Sequence, residues 1–245
     1  MQNAMLELYL NKLKLTTIAS EYKNVIEKND KSDSITLLTR LFEIEVQKRE
    51  EKAISRKLKG ANFPSVKTID SYDFSKMPQL KKQQIMDLIG CEFVTKKQNI
   101  VMLGNAGTGK THLAVAIGVA ACHKNIPVYF TTAAKLANDL IEARDAIALS
   151  RIHSKLAKYK IIIIDEIGYV PLADSSAELI YEIINDRYES NSLIMTSNLQ
   201  FSEWVQVFKS EKLTAAILDR IAHHSNIIEM NGESYRYNNS LSKKK

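Results

Sequence analysis

Residues Gly104-Asn105-Ala106-Gly107-Thr108-Gly109-Lys110-Thr111 match the pattern GxxxxGK[ST], and no other stretch restricts the fold as strongly. The motif follows the aliphatic run Ile100-Val101-Met102-Leu103 and precedes a helical pattern on Leu113, Ala116, Ile117 and Ala120. This strand–loop–helix context is what gives the pattern physical meaning. With average residue usage it arises by chance in roughly one chain of this length in a hundred, before that context is imposed. The glycines let backbone N–H groups turn inward around phosphates, and the helix amino end adds positive potential. Lys110 would reach the β- and γ-phosphates and Thr111 would ligate Mg²⁺. The expectation is a site for a nucleoside triphosphate with Mg²⁺.

Further aliphatic runs at 128–130, 161–164, 193–195 and 227–228 alternate with helical segments, and none shows polar alternation. Continuous apolar strands are buried on both faces. With helices between them, they predict an α/β fold: a doubly wound parallel sheet of five strands joined by right-handed crossovers. Residues 1–59 contain neither proline nor glycine. Apolar residues recur there at helical spacing, first Leu15, Ile18, Tyr22, Val25 and Ile26, then Leu37, Leu38, Leu41 and Ile44, which predicts two helices. Arg56, Lys57 and Lys59 precede Gly60, the arrangement in which cations face the helix end and glycine supplies the cap. The expected division is a helical, basic module at 1–62, a connector at 63–78, a nucleotide-binding domain at 79–238 and a basic tail at 239–245.

Composition excludes other classes. Of the 245 residues 45% are hydrophobic and 25% charged, close to soluble globular averages and unlike disordered, collagenous or coiled-coil chains. The longest aliphatic run, 161–164, is far below the roughly 18 residues of a membrane span, and the amino terminus lacks the pattern of a secretory signal. A soluble, cytoplasmic protein is expected. Cys91 and Cys122 have neither zinc nor disulfide spacing and read as buried thiols. Lys plus Arg exceed Asp plus Glu by 34 to 28, which is compatible with a polyanionic partner without requiring one.

Downstream, Ile161-Ile162-Ile163-Ile164-Asp165-Glu166 is an aliphatic strand delivering two carboxylates at its carboxyl end, where ligands of such sheets bind. Asp165 would hold the metal, while Glu166 would orient and deprotonate an attacking water. The second acid argues for hydrolysis over phosphoryl transfer to a small molecule. Thr196-Ser197-Asn198 follows another apolar run; Asn198 would bond the γ-phosphate, although the triplet also reads as a turn or helix cap. Arg220 on a predicted helix reads either as a surface ion pair or as an arginine finger entering an adjacent subunit's site. His223-His224 has no partner ligand at coordinating spacing, and adjacent residues diverge on a helix, so no catalytic transition-metal site is expected.

In order and spacing these motifs resemble the AAA+ ATPases, with Asn198 as sensor 1 and Arg220 as the box VII arginine. More narrowly, Arg56-Lys57-Leu58-Lys59, Cys91-Glu92-Phe93, His112-Leu113-Ala114 after the phosphate loop, Ile167-Gly168-Tyr169, Phe201-Ser202-Glu203-Trp204 and Gly232-Glu233-Ser234-Tyr235-Arg236 are similar to IstB. That family comprises ATPases encoded beside the transposase of one class of bacterial insertion sequences. The similarity runs from about residue 35 onward and extends, less closely, to the DnaC helicase loaders.

The resemblance implies an ATP-dependent regulator of transposition, assembling as a homo-oligomer on duplex DNA, selecting the insertion site and stimulating a cognate transposase, with no membrane partner. The alternative is a helicase loader that binds single-stranded DNA. Nucleotide contacts would come from residues 104–112, Asp165 and Arg236, and catalysis from Lys110, Glu166, Asn198 and Arg220. The stretch after Arg236 is too short for a helical lid, so Arg236 reads either as sensor 2 or as a surface arginine. Gly104-Asn105-Ala106-Gly107 departs from the Gly-Pro-Pro-Gly of many relatives, at positions where only backbone groups are needed. DNA would be met by Lys135, Arg144, Arg151, Lys155 and Lys158, with His153, in the segment 133–158, and by Arg56, Lys57 and Lys59. Each group also reads as a solvated charged face.

Overall fold

A computed structural model describes residues 2–28, 33–169 and 171–232. The chain divides into two compact units, Met1–Arg56 and Lys57–Lys245.

The first unit holds α1 (Gln2–Lys12), α2 (Thr16–Lys28) and most of α3 (Ser34–Gly60). Three helices therefore stand where periodicity predicted two. The apolar residues of α1, including Met5, Leu6, Leu8, Tyr9 and Leu10, lie all round it and give no stripe to detect. The break before α2 is made by Lys14 in the left-handed region, at φ 55°, without glycine or proline. Leu10, Ile18, Tyr22, Val25 and Leu41 form a small core. Buried Glu45 on α3 accepts the N–H groups of Thr17 at 2.8 Å and Ile18 at 3.0 Å, capping the otherwise unpaired first turn of α2. Nor does Gly60 act as the left-handed cap: α3 runs through it, and Asn62 takes that conformation at φ 59°.

The second unit contains α4 (Lys82–Ile89), α5 (Glu92–Thr95), β1 (Asn99–Leu103), α6 (Lys110–His123), β2 (Val128–Thr132), α7 (Ala133–Asp145) and α8 (Leu149–Leu156). They are followed by β3 (Ile161–Ile167), α9 (Asp174–Arg187), β4 (Ser192–Ser197), α10 (Val205–Phe208), α11 (Glu211–Ala222) and β5 (Ser225–Glu229). The five strands pair in parallel in the order β2-β3-β4-β1-β5. Alternate residues of each central strand enter opposite cores. Val101, Leu103, Ile162, Ile164, Leu193 and Met195 meet α7, α9 and α11, whereas Ile100, Met102, Ile161, Ile163 and Ile194 meet α4 and α6. Burial on both faces is why these strands are apolar throughout, and each fully buried isoleucine contributes about 1.5–3 kcal/mol. Cys91 and Cys122 are buried in the second of these cores; burial pushes the Cys122 thiol up to about 11.

Residues 63–78, connector-like in composition, form two short 3-10 turns at Ile69–Ser71 and Phe74–Lys76. Phe63, Ile69, Tyr72 and Phe74 pack on the core beneath α6, so this segment belongs to the second unit. No helix among the described residues is long and apolar enough to cross a membrane.

Candidate active site

The loop from β1 to α6 lies at the carboxyl end of the sheet. Gly104 adopts φ 142°, and a Cβ there would stand 2.3 Å from the Met230 carbonyl oxygen; only glycine permits this approach. Gly109 adopts φ 93°, and a Cβ on it would meet the Tyr72 ring at 2.9 Å. Lys110, 8% exposed, turns its Nζ back to the carbonyls of Gly104 at 2.6 Å and Asn105 at 2.7 Å. The Thr108 hydroxyl donates to the Asn105 carbonyl at 2.9 Å. Asn105 and Ala106 are exposed at the loop tip.

Asp165 and Glu166 sit together on β3 but in different surroundings. Asp165 is 3% exposed. The Thr111 hydroxyl lies 3.0 Å from both its carboxylate oxygens, and the Thr196 hydroxyl donates to Oδ1 at 2.5 Å. Burial holds Asp165 above the usual carboxylate range, against the pull of the Thr196 and Thr111 hydroxyls and of the Lys110 charge. A carboxylate in that condition gains from a nearby cation. One extra residue of β3 is inserted between Ile164 and Ile167 opposite β4, a bulge of the kind that re-aims side chains beside active sites. Within it Glu166 adopts φ 62°, which for a non-glycine residue costs about 1–3 kcal/mol. Its N–H donates to Thr196 Oγ1 at 3.0 Å, and its side chain is exposed.

These groups border a cleft of 1180 Å³ that Gly107–His112, Asp165, Glu166, Tyr72 and Asn231 help to line. His112 lies beside the loop, its ring nitrogen 3.1 Å from Ser71 Oγ and 3.2 Å from the Thr68 carbonyl. Tyr72 packs edge-on to His112 at 5.3 Å; its buried hydroxyl has no hydrogen-bond partner among the described residues, and burial pushes it up to about 12. The residues fit a magnesium–nucleotide group. Inward-turning glycines suit phosphates, the Thr111 and Asp165 oxygens are hard donors suited to Mg²⁺, and the unpartnered Tyr72 hydroxyl stands on the cleft wall.

Other predicted site residues are placed differently. Asn198 is exposed just past β4 and is absent from the cleft lining. The residue of that triplet that touches Asp165 is Thr196, which sequence reasoning passed over. Period-two counting from the buried Ile194 marks Thr196 as the polar residue on the face toward α6. Arg220 lies outside its own cleft: Nε donates to Asn185 Oδ1 at 2.9 Å, Nη1 to the Ala216 carbonyl at 3.0 Å, and the guanidinium stands 4.9 Å from the Tyr181 ring centroid. Arg236 falls outside the described residues. Of the basic candidates, Lys135, Arg151 and Lys158 are exposed, Arg144 pairs with Asp145 at 2.9 Å, and Lys155 lies 5.0 Å over the Tyr129 ring. His153 pairs with Asp186 at 2.7 Å. Arg56 reaches the Lys52 carbonyl at 3.4 Å, Lys57 donates to Asn125, and Lys59 is exposed.

Comparison with known proteins bears on the same features. A relative named as the ATP-binding protein of insertion sequence IS232, from Bacillus thuringiensis subsp. berliner, is 39% identical over 239 residues, covering 96% of this chain and 94% of the relative. The corresponding protein of IS21 from Pseudomonas aeruginosa is 35% identical over 233 residues, covering 94% and 88%. Among solved structures, AMPPCP-bound DnaA from Aquifex aeolicus superposes with a TM-score of 0.58 at 18% identity, over 74% of this chain and 54% of that one. The DnaC helicase loader gives 0.51 at 22% identity, over 60% and 86%. These likenesses identify the fold as that of the AAA+ P-loop proteins. The family model of IstB-like ATP binding proteins matches residues 8–243, and the chain therefore belongs to the IstB-like ATP-binding proteins.

Proposed function

We propose that this chain is a Mg²⁺-dependent ATPase that assembles on duplex DNA and acts with the transposase of an insertion sequence. The observation that carries the hydrolytic part is the strained bulge in β3, which leaves Asp165 buried against Thr111 and Thr196 while presenting Glu166 to the cleft. In this reading Lys110 exchanges its loop carbonyls for the β- and γ-phosphates, and the loop N–H groups hold the phosphate oxygens. Thr111 and Asp165 hold Mg²⁺, which when bound neutralises developing phosphate charge. Glu166 accepts a proton from water lined up on the γ-phosphate, its backbone fixed by Thr196. Arg220, outside its own cleft, stabilises charge in a neighbouring subunit's site, which makes turnover depend on assembly.

The transposition role is supported by relatives named for insertion sequences. The exposed Lys135, Arg151 and Lys158 supply phosphate contacts of little base specificity. The test is ATPase rate and sedimentation without DNA, with single-stranded DNA and with duplex, each in ATP and in ADP. Assembly and stimulation that require both duplex and ATP are expected. Preference for single strands would replace this role with helicase loading, and indifference to either form would end the DNA reading.

A further inference from the structure

Far along the chain from the nucleotide motifs, the fold brings a metal-ligating glutamate to an adjacent pair of histidines that sequence spacing keeps apart from it. Glu189, in the turn after α9, and His223 and His224, at the end of α11, each offer a ligand atom, and these atoms lie within 4.8 Å of one another. All three residues are exposed. Adjacent histidines diverge on a helix, but α11 ends at Ala222 and the chain turns there. The two imidazole centroids come within 4.2 Å. The backbones are anchored: the His223 N–H donates to the Asp219 carbonyl at 3.2 Å, and the His224 carbonyl accepts the Asn99 N–H at 2.7 Å. Glu189 holds φ 55° in a turn closed by Ser190 and Asn191 N–H groups on the Arg187 carbonyl.

Tyr188 supplies an outer contact. Its hydroxyl lies 3.2 Å from His223 Nδ1. When Nδ1–H donates to that oxygen, the Nε2 lone pair is left for a metal, the arrangement by which outer partners select a ligating tautomer.

We propose that Glu189, His223 and His224 form a surface site for a transition-metal dication, Zn²⁺ in the first instance, with water completing the coordination. Two imidazoles and one carboxylate are the ligand types of borderline metals, whereas Mg²⁺ prefers oxygen donors alone. Occupancy would clamp the turn after α9 to the end of α11. The site stands independently of the ATPase reading.

The test is calorimetric titration of the full chain, free of any affinity tag, with Zn²⁺, alongside the visible spectrum of bound Co²⁺. One ion per chain is expected. His223→Asn/His224→Asn and, separately, the exposed Glu189→Gln should abolish it, while Tyr188→Phe should weaken it about tenfold. A Cys91→Ala/Cys122→Ala chain should bind as the parent does. Circular dichroism checks that each variant is folded. The proposal is overturned if the parent binds no Zn²⁺ at millimolar concentration. Parental stoichiometry and affinity in the folded double-histidine variant, or loss of binding in the cysteine-free chain, would overturn it equally.

Discussion

Replacing Thr196 with valine removes one hydroxyl at nearly constant volume from a residue that is 1% exposed. That hydroxyl donates to Asp165 Oδ1 at 2.5 Å and accepts the Glu166 N–H at 3.0 Å. A hydrogen bond to a charged group is worth about 1.5–3 kcal/mol, and an orphaned buried N–H costs about 1–3 kcal/mol. The exposed side of Glu166 lets water partly replace the second, so the expected loss is about 3 kcal/mol. For a chain of this size that lowers the unfolding midpoint by roughly 6–12 °C. In an Asp165→Asn background the first bond joins neutral partners and is worth about 1 kcal/mol, so the two substitutions should couple by about 0.5–2 kcal/mol. Differential scanning calorimetry of the four chains reads this coupling, and Thr196→Ser should restore most of the loss. ATP turnover should fall further than nucleotide affinity, because Glu166 loses its anchor. Thr196→Val within about 0.5 kcal/mol of the parent, or strict additivity with Asp165→Asn, would refute the assignment.

Four other outcomes follow from the geometry. Gly104→Ala places a methyl against the Met230 carbonyl, a backbone atom with no rotamer escape, at φ 142°; loss of nucleotide binding by fluorescence titration is expected, together with a lower unfolding midpoint. Because the folded state holds Asp165 above 3.8, it binds more protons there than the unfolded chain; this contribution is complete below 3.8 and disappears as pH rises through the folded value. Asp165→Asn should therefore flatten that part of the stability–pH curve and raise the metal-free midpoint at neutral pH, and an unchanged slope would count against it. Arg220→Ala should spare ATP affinity while lowering turnover in the assembled state; parental turnover at saturating protein concentration would remove the finger. Glu166→Gln should retain ATP-bound assembly by sedimentation while abolishing hydrolysis, an expectation lost if phosphate release continues at the parental rate.

The sheet and the phosphate loop were legible because both depend on local pattern. All five aliphatic runs became strands, lengthened by polar ends such as Asn99, Thr131-Thr132 and Ser192 that the apolar pattern omits. The remainder depended on pairings between distant residues. Glu45 capping α2, the Thr196 hydroxyl reaching Asp165, and Glu189 lying beside His223 are contacts made by tertiary packing, which no window of sequence contains. Lys14, Asn62 and Glu166 adopt left-handed conformations without glycine, so the usual marker of a break was absent. Residues 63–78 lacked periodicity because short 3-10 turns have none to display, although Tyr72 bears directly on Gly109.

The bulge at Glu166 also restricts how this position can drift. A left-handed backbone excludes β-branched residues whatever the chemistry, so a base change that turns glutamate into valine is rejected by the fold before catalysis is at issue. Glycine, another single-base neighbour of glutamate, relieves the strain while removing the carboxylate. Aspartate tolerates the conformation but shortens the reach toward the cleft. Loss of activity at this position therefore has a low-cost structural exit through glycine, and a relative that had taken it would fold more stably and still grip its nucleotide. If Glu166 serves as the proposed base, turnover and not the fold is what keeps a glutamate in that backbone.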